Sequence, residues 1–114
     1  MTSSGINTGD VWLATLDPTV GSEIQKTRPC VVVSPIEMNA YLRTVIVVPM
    51  TTGSRPAGFR VPLTFQGKPG LILLDQIRTL DKSRLVKKMG SVQKATLSKA
   101  LHTLQDVFEP DVDV

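Results

Sequence analysis

Apolar residues along this chain fall in short runs separated by turn chemistry, and only near the end does their spacing become helical. Val11, Trp12, Leu13, Ala14 and Leu16 form a first run closed by Asp17-Pro18, which predicts a strand over residues 11–16. Cys30-Val31-Val32-Val33-Ser34 is rich in β-branched residues and stops at Pro35, which predicts a buried strand over 30–34. Residues 36–42 have room for a turn or two of helix, and residues 44–48 predict a third strand ended by the polar stretch 49–56. Alternation over 58–63 predicts an edge strand, because Pro62 cannot donate to an interior ladder. A turn over 66–70 leads into a buried strand at 71–74 that continues into 75–80. Alternation there sets Gln76, Arg78 and Leu80 opposite Ile77 and Thr79. Residues 81–84 predict a turn or short helical piece, and 85–89 a last extended run. From Lys94 to Phe108 the period changes: Leu97, Ala100, Leu101, Leu104, Val107 and Phe108 recur at helical spacing, and Pro110 closes the segment.

Short strands with turns between them and one long helix predict an α+β, mainly β domain, a small barrel or strongly bent sheet with a C-terminal α-helix packed on it. At 114 residues the chain is one domain. The expected organisation is a loose start over 1–8, the folded domain over 9–109 and an acidic tail over 110–114. With 41% hydrophobic and 20% charged residues the composition is that of a soluble protein. It shows neither a membrane-length apolar run nor a secretory leader. The lone Cys30 cannot form an internal disulfide, and a cytoplasmic protein is the expectation.

Net charge is +3, but it is unevenly distributed. Arg78, Lys82, Arg84, Lys87, Lys88, Lys94 and Lys99 face only Asp81 between Gln76 and Gln105, and then Asp106, Glu109, Asp111 and Asp113 make the end acidic. A polyanion surface is one reading of that pattern and a solvated helix face is another. Arg55, Arg60, Lys87 and Lys88 read equally well as ordinary surface cations. Aromatic content of 4% is low for a platform that binds nucleic acid by stacking alone.

Counting excludes several chemistries. One histidine and one cysteine cannot build a zinc cluster, a convincing cysteine–histidine pair or a two-histidine ribonuclease site within one chain. No metal or cofactor site is expected. The glycines make neither a phosphate-cradling loop nor a dinucleotide fingerprint. His102 falls on the polar side of the predicted helix and reads as a surface residue. What remains is the loop Gly21-Ser22-Glu23-Ile24-Gln25-Lys26-Thr27-Arg28-Pro29, which brings a carboxylate, hydroxyls and cations beside a buried strand. Glu23 can take a proton, Arg28 can brace a developing phosphorane charge with its planar fork, and Thr51 or Thr52 can donate to a phosphate oxygen. Such a trio suits attack by RNA's own 2′-hydroxyl. An arginine always carries its proton, so Arg28 suits charge stabilisation better than proton cycling. On composition alone the same stretch is also an ordinary polar hairpin loop.

The order and spacing of several short motifs resemble those of the MazF/PemK/Kid family of toxin endoribonucleases. They are Gly9-Asp10-Val11, Asp17-Pro18-Thr19, Gly21-Ser22-Glu23, Arg28-Pro29-Cys30-Val31-Val32-Val33-Ser34-Pro35, Val48-Pro49-Met50-Thr51-Thr52 and the segment from Leu74 to Leu85. The resemblance runs from Gly9 to about Phe108. It implies an SH3-like (CcdB/PemK-like) barrel, a homodimer and cleavage of single-stranded mRNA to 2′,3′-cyclic phosphate and 5′-hydroxyl ends, with growth arrest until an antitoxin binds. By the same resemblance Arg28 and Thr51 are catalytic and Glu23 is the acidic residue of the first loop. Ser22, Gln25, Lys26, Thr27, Thr52, Gln76 and Arg78 are expected to contact substrate. Asp75 is expected only to support them. Residues 24–27 would form a flap over RNA, and the basic second half would line the groove, which a flexible acidic antitoxin segment could occupy. Some members use a loop histidine, which this chain lacks. A different possibility on the same scaffold is a non-enzymatic toxin that poisons DNA gyrase, as CcdB relatives do, and a plain nucleic-acid-binding module is a third.

Overall fold

The computed structural model describes residues 5–53 and 57–110; Arg55 and most of the acidic tail lie outside the described residues. The chain forms β1 (Asp10–Thr15), β2 (Thr27–Val32), α1 (Ile36–Tyr41), β3 (Thr44–Thr51), β4 (Arg60–Phe65), β5 (Lys68–Leu73), β6 (Arg78–Asp81), β7 (Leu85–Ser91) and α2 (Lys94–Val107). The strands make one antiparallel curled sheet ordered β4-β5-β3-β2-β1-β7, with β6 paired to β3 beside that path. This is the mainly β, bent half-barrel with a C-terminal helix that the residue pattern predicts.

Alternation along the central strands explains why both faces are dry. On one face Val11, Val31, Val48 and Met50 meet Val61, Ile72 and Leu74, and Ala100 and Leu104 of α2 close the cluster. On the other, Ala14, Cys30, Val32, Val45 and Val47 pack with Leu16, Leu80 and Ile6. Strands β2 and β3 are buried on both sides, so they read in sequence as unbroken apolar runs. Pro29 and Pro49 lie at the end of the β2–β3 ladder, whose terminal pair is Cys30 with Pro49, where a missing donor is tolerated.

Several expectations shift. Ile6 is buried, Thr8 donates to the carbonyl of Ser34, and Asn39 donates to the carbonyl of Ile6, so residues 6–8 are packed against the domain. The run 71–80 is not one strand. A 3-10 turn at Leu74–Gln76 breaks it, so β5 pairs with β4 while β6 crosses to β3. Phe108, expected in the apolar stripe of α2, caps the helix and is exposed. His102 is exposed on the helix, as its polar neighbours indicate.

The basic second half is largely committed to the fold. Arg78 donates to the carbonyl of Leu16, Arg84 to those of Thr15 and Asp17, and Lys82 to that of Asn39. Lys88 pairs with the buried Asp10 carboxylate at 3.4 Å. Backbone carbonyls leaving the sheet need donors, and these long cations satisfy them. They brace the loops, and of the four only Arg78 also lines a depression of the groove described below.

Candidate active site

The register of the central strands builds the site. Cys30 pairs with Pro49, and continuing that register past the end of the ladder sets Arg28 across from Thr51. Thr51 in turn pairs with Leu71 of β5. Gly70, the next residue, passes so close that a Cβ added there would lie 2.8 Å from the Thr51 carbonyl oxygen. Arg28, Thr51 and Thr52 line one cavity of about 260 Å³, walled by Met50, Leu63, Phe65 and Met89. An adjoining depression again holds Arg28, Thr51 and Thr52, and adds Ser22, Arg60 and Gln76. A third holds Glu23, Asp75 and Arg78 with Ser22, Arg60 and Gln76. The three join through shared residues into one open groove.

The hydrogen bonds show which groups are committed. Arg28 donates from Nε to the Gln25 carbonyl at 3.1 Å, and its guanidinium makes no ion pair among the described residues. Arg28 lines two of these depressions with a charge that no carboxylate among the described residues offsets, so its terminal nitrogens have donors to offer an anion. The Thr51 hydroxyl oxygen accepts from the Gly53 N–H at 3.2 Å, which leaves its own proton free to donate. Glu23 accepts from the Val20 N–H at 2.6 Å, which fixes one carboxylate oxygen within its own turn. Gln76 accepts from the Ile24 N–H at 2.7 Å and so pins the loop to the sheet. Arg60 holds Asp75 through two hydrogen bonds at 3.1 and 3.2 Å, and this pairing raises the Arg60 pKa above its ordinary value.

The structure thus brings Arg28, Thr51, Thr52, Ser22 and Gln76 to one depression and places Glu23 and Arg78 in the next. Gln25, Lys26 and Thr27 are exposed and line none of the three depressions. Lys26 adopts φ 71°, its carbonyl accepts from the Leu16 N–H, and Thr27 already belongs to β2. With Ile24 also tethered, residues 24–27 are tied to the sheet at Ile24, Lys26 and Thr27. Beneath them Cys30 is buried, and burial pushes its thiol up to about 12. It serves as an apolar anchor and not as a nucleophile.

Residues 7–108 match the family model described as the PemK-like, MazF-like toxin of type II toxin-antitoxin systems. The chain belongs to this toxin family. It is 38% identical to the endoribonuclease PemK of Escherichia coli over 111 residues, covering 92% of this chain and 84% of that protein. It is also 41% identical to the endoribonuclease MazF of Staphylococcus epidermidis over 98 residues, covering 81% of this chain and 82% of that one. Among solved structures, MazF from Deinococcus radiodurans superposes with a TM-score of 0.81 at 25% identity, covering 90% of this chain and 94% of that one. A mycobacterial endoribonuclease in complex with its cognate antitoxin superposes with a TM-score of 0.78 at 25% identity, covering 94% and 99%. This PemK/MazF protein is accordingly an endoribonuclease toxin of a toxin–antitoxin system, and no helix among the described residues is long and apolar enough to cross a membrane.

Sequence reasoning missed the opposite wall of the cavity. Phe65, Gln66, Lys68, Gly70 and Met89 line it, yet they read as core, turn and strand residues. The available signal was Gln66-Gly67 between two extended runs, a two-residue hairpin turn that would aim the flanking side chains.

Proposed function

We propose that this toxin cleaves single-stranded RNA at short sequences by attack of the RNA's own 2′-hydroxyl on the neighbouring phosphorus, leaving 2′,3′-cyclic phosphate and 5′-hydroxyl ends. The observation that carries the reading is an arginine fork, held at Nε and without an ion pair among the described residues, lining one cavity with a threonine hydroxyl. In the five-coordinate transition state negative charge builds on the non-bridging oxygens. Arg28 meets that charge with two parallel N–H donors, and Thr51 adds a third. Glu23 takes the 2′-hydroxyl proton with the oxygen not bound to Val20, from the adjoining depression once the RNA spans both. The departing 5′-oxygen takes a proton from solvent in the open groove. Ser22, Thr52, Gln76 and Arg78 hold the flanking nucleotides, with Gln25, Lys26 and Thr27 on the rim.

The reaction balances without a metal, because base, charge stabilisation and nucleophile are all present in protein and RNA. The family supports the remaining parts of the reading: a cytoplasmic homodimer whose groove is covered by an acidic antitoxin segment when cleavage must stop. A gyrase poison has no use for Arg28 and Thr51 held together in a cavity. The test is incubation of the folded protein with a long unstructured RNA in excess EDTA, followed by analysis of the new ends. Cleavage with cyclic phosphate and 5′-hydroxyl ends is expected. Intact RNA, cutting only with added metal, or 5′-phosphate ends would each contradict the mechanism.

A further inference from the structure

Three local departures from regular β-structure converge on the far wall of the Arg28–Thr51 cavity. The first is a bulge. Val11 pairs with Gly90 and Trp12 with Lys88, so Met89 is the extra residue on β7, and a bulge re-aims a side chain. Met89 lines the cavity. The second is Gly90 itself, at φ +150°, where an added Cβ would stand 3.4 Å from the Phe65 ring. Glycine there lets that ring sit against β7. The third is Gln66. β4 ends at Phe65 and β5 begins at Lys68, so Gln66 and Gly67 alone make the turn, with φ 51° and 78°. Positive φ at both positions is the signature of a type I′ hairpin, where glycine and asparagine are the easy residues. Glutamine at the first position carries a backbone cost that glycine or asparagine would lessen, which draws attention to its side chain.

That side chain reaches across the cavity rim. Its Nε2 donates to the Met89 carbonyl at 3.2 Å, which fixes the amide plane, while its Oε1 has no protein partner among the described residues. The wall therefore offers an aromatic ring, a thioether, one oriented amide with an acceptor to spare, and the cation of Lys68, all beside the anion-binding pair. Unstacked bases in single-stranded RNA are recognised by this combination: a ring for the face, an amide for the edge, a cation for the backbone. We propose that the Phe65–Gln66–Met89 slot receives one unstacked nucleobase adjoining the scissile phosphate, and that the Gln66 amide reads its edge. The proposal rests on the RNA-cleavage reading for its substrate. It assigns part of the sequence specificity to the β4–β5 hairpin, whereas Arg28, Thr51 and Glu23 carry the chemistry.

Gln66→Gly tests it without threatening the fold, since glycine relieves the positive φ while removing the amide. Labelled oligoribonucleotides that vary at one position at a time around the preferred cut site are titrated by fluorescence anisotropy against the parent protein and Gln66→Gly. The parent should discriminate about tenfold at one position next to the cut, the scale of one good edge contact. Gln66→Gly should lose that discrimination at that position and keep it elsewhere. In a parallel cleavage map its cuts should spread over sites differing at that position. A parent preference left intact at every position, or a uniform weakening at all of them, would overturn the proposal. So would a parent that binds without base preference, a result that would leave the slot to an apolar peptide side chain. If the parent binds with the expected preference but leaves RNA uncut, the slot stands and the cleavage reading falls.

Discussion

The two walls of the groove are held in different ways. Residues 21–23 and 25–27 of the loop wall are exposed, and that wall is tied down through backbone atoms: the Ile24 N–H to Gln76 and the Lys26 carbonyl to Leu16. The hairpin wall is strand on both sides, with Phe65 and Met89 packed against the core cluster of the sheet. Local opening costs least where few apolar contacts must break. The loop wall can therefore adjust around a phosphate, while the hairpin wall keeps the shape of its slot. Arg28 sits where the two regimes meet, on β2 beside the buried Cys30.

The contrast can be broken from either side. Gly70→Ala strikes the rigid wall, because the new Cβ would meet the Thr51 carbonyl at 2.8 Å and backbone cannot yield as a side-chain tip does. Overpacking of this kind costs about 1–3 kcal/mol. A lower midpoint in thermal unfolding should accompany a fall in cleavage, since Thr51 must move; a variant with parental stability and rate would show the close approach to be unimportant. Gln76→Ala strikes the pliant wall. Loss of the bond to Ile24 should cost about 1 kcal/mol and speed amide hydrogen exchange at Ile24 while β4 and β5 keep their protection. Unchanged exchange at Ile24 would show that the loop is held by something else.

The smallest effect at neutral pH concerns Cys30. Its folded pKa is raised from 9.0 to about 12, first by desolvation, so the folded state favours the neutral thiol. Below pH 9 both states are protonated and stability is unaffected. As pH rises from 9 toward 12 the unfolded chain ionises first, and this contribution to stability is lost. The parent should therefore lose more stability than Cys30→Ala over that window in denaturant titrations. Parallel pH dependences would mean that the thiol is not desolvated.

The sequence made the loop wall readable because its candidates carry their chemistry in their residue types: an arginine before a proline, a glutamate, hydroxyls after a strand. The central strands were readable as well, since burial on both faces of β2 and β3 leaves unbroken β-branched runs. Other features depend on contacts that residue type does not reveal. Arg78, Lys82 and Arg84 looked like a polyanion surface, but which carbonyls lack donors is decided only when the loops fold back on them. The split of residues 71–80 was hidden because the turn at Leu74–Gln76 keeps an apolar residue inside without an obvious breaker. The hairpin wall escaped notice because Phe65 and Met89 resemble core residues and Gln66 a solvated turn. Only the bulge and the positive φ reveal their use.

If Arg28 and Thr51 together stabilise the charge that develops on phosphorus, loss of the arginine should slow the chemistry and spare the fold. The decisive experiment is single-turnover cleavage of one defined RNA by Arg28→Ala, alongside its thermal unfolding. Removing a donor from a preorganised anion site costs about 10²–10³ in rate. With no ion pair among the described residues and one exposed hydrogen bond to the Gln25 carbonyl, Arg28 should contribute little to stability, about 0.5 kcal/mol. The rate should fall by that factor with the unfolding midpoint nearly unchanged, whereas a folded Arg28→Ala that cuts at the parental rate would remove Arg28 from the chemistry.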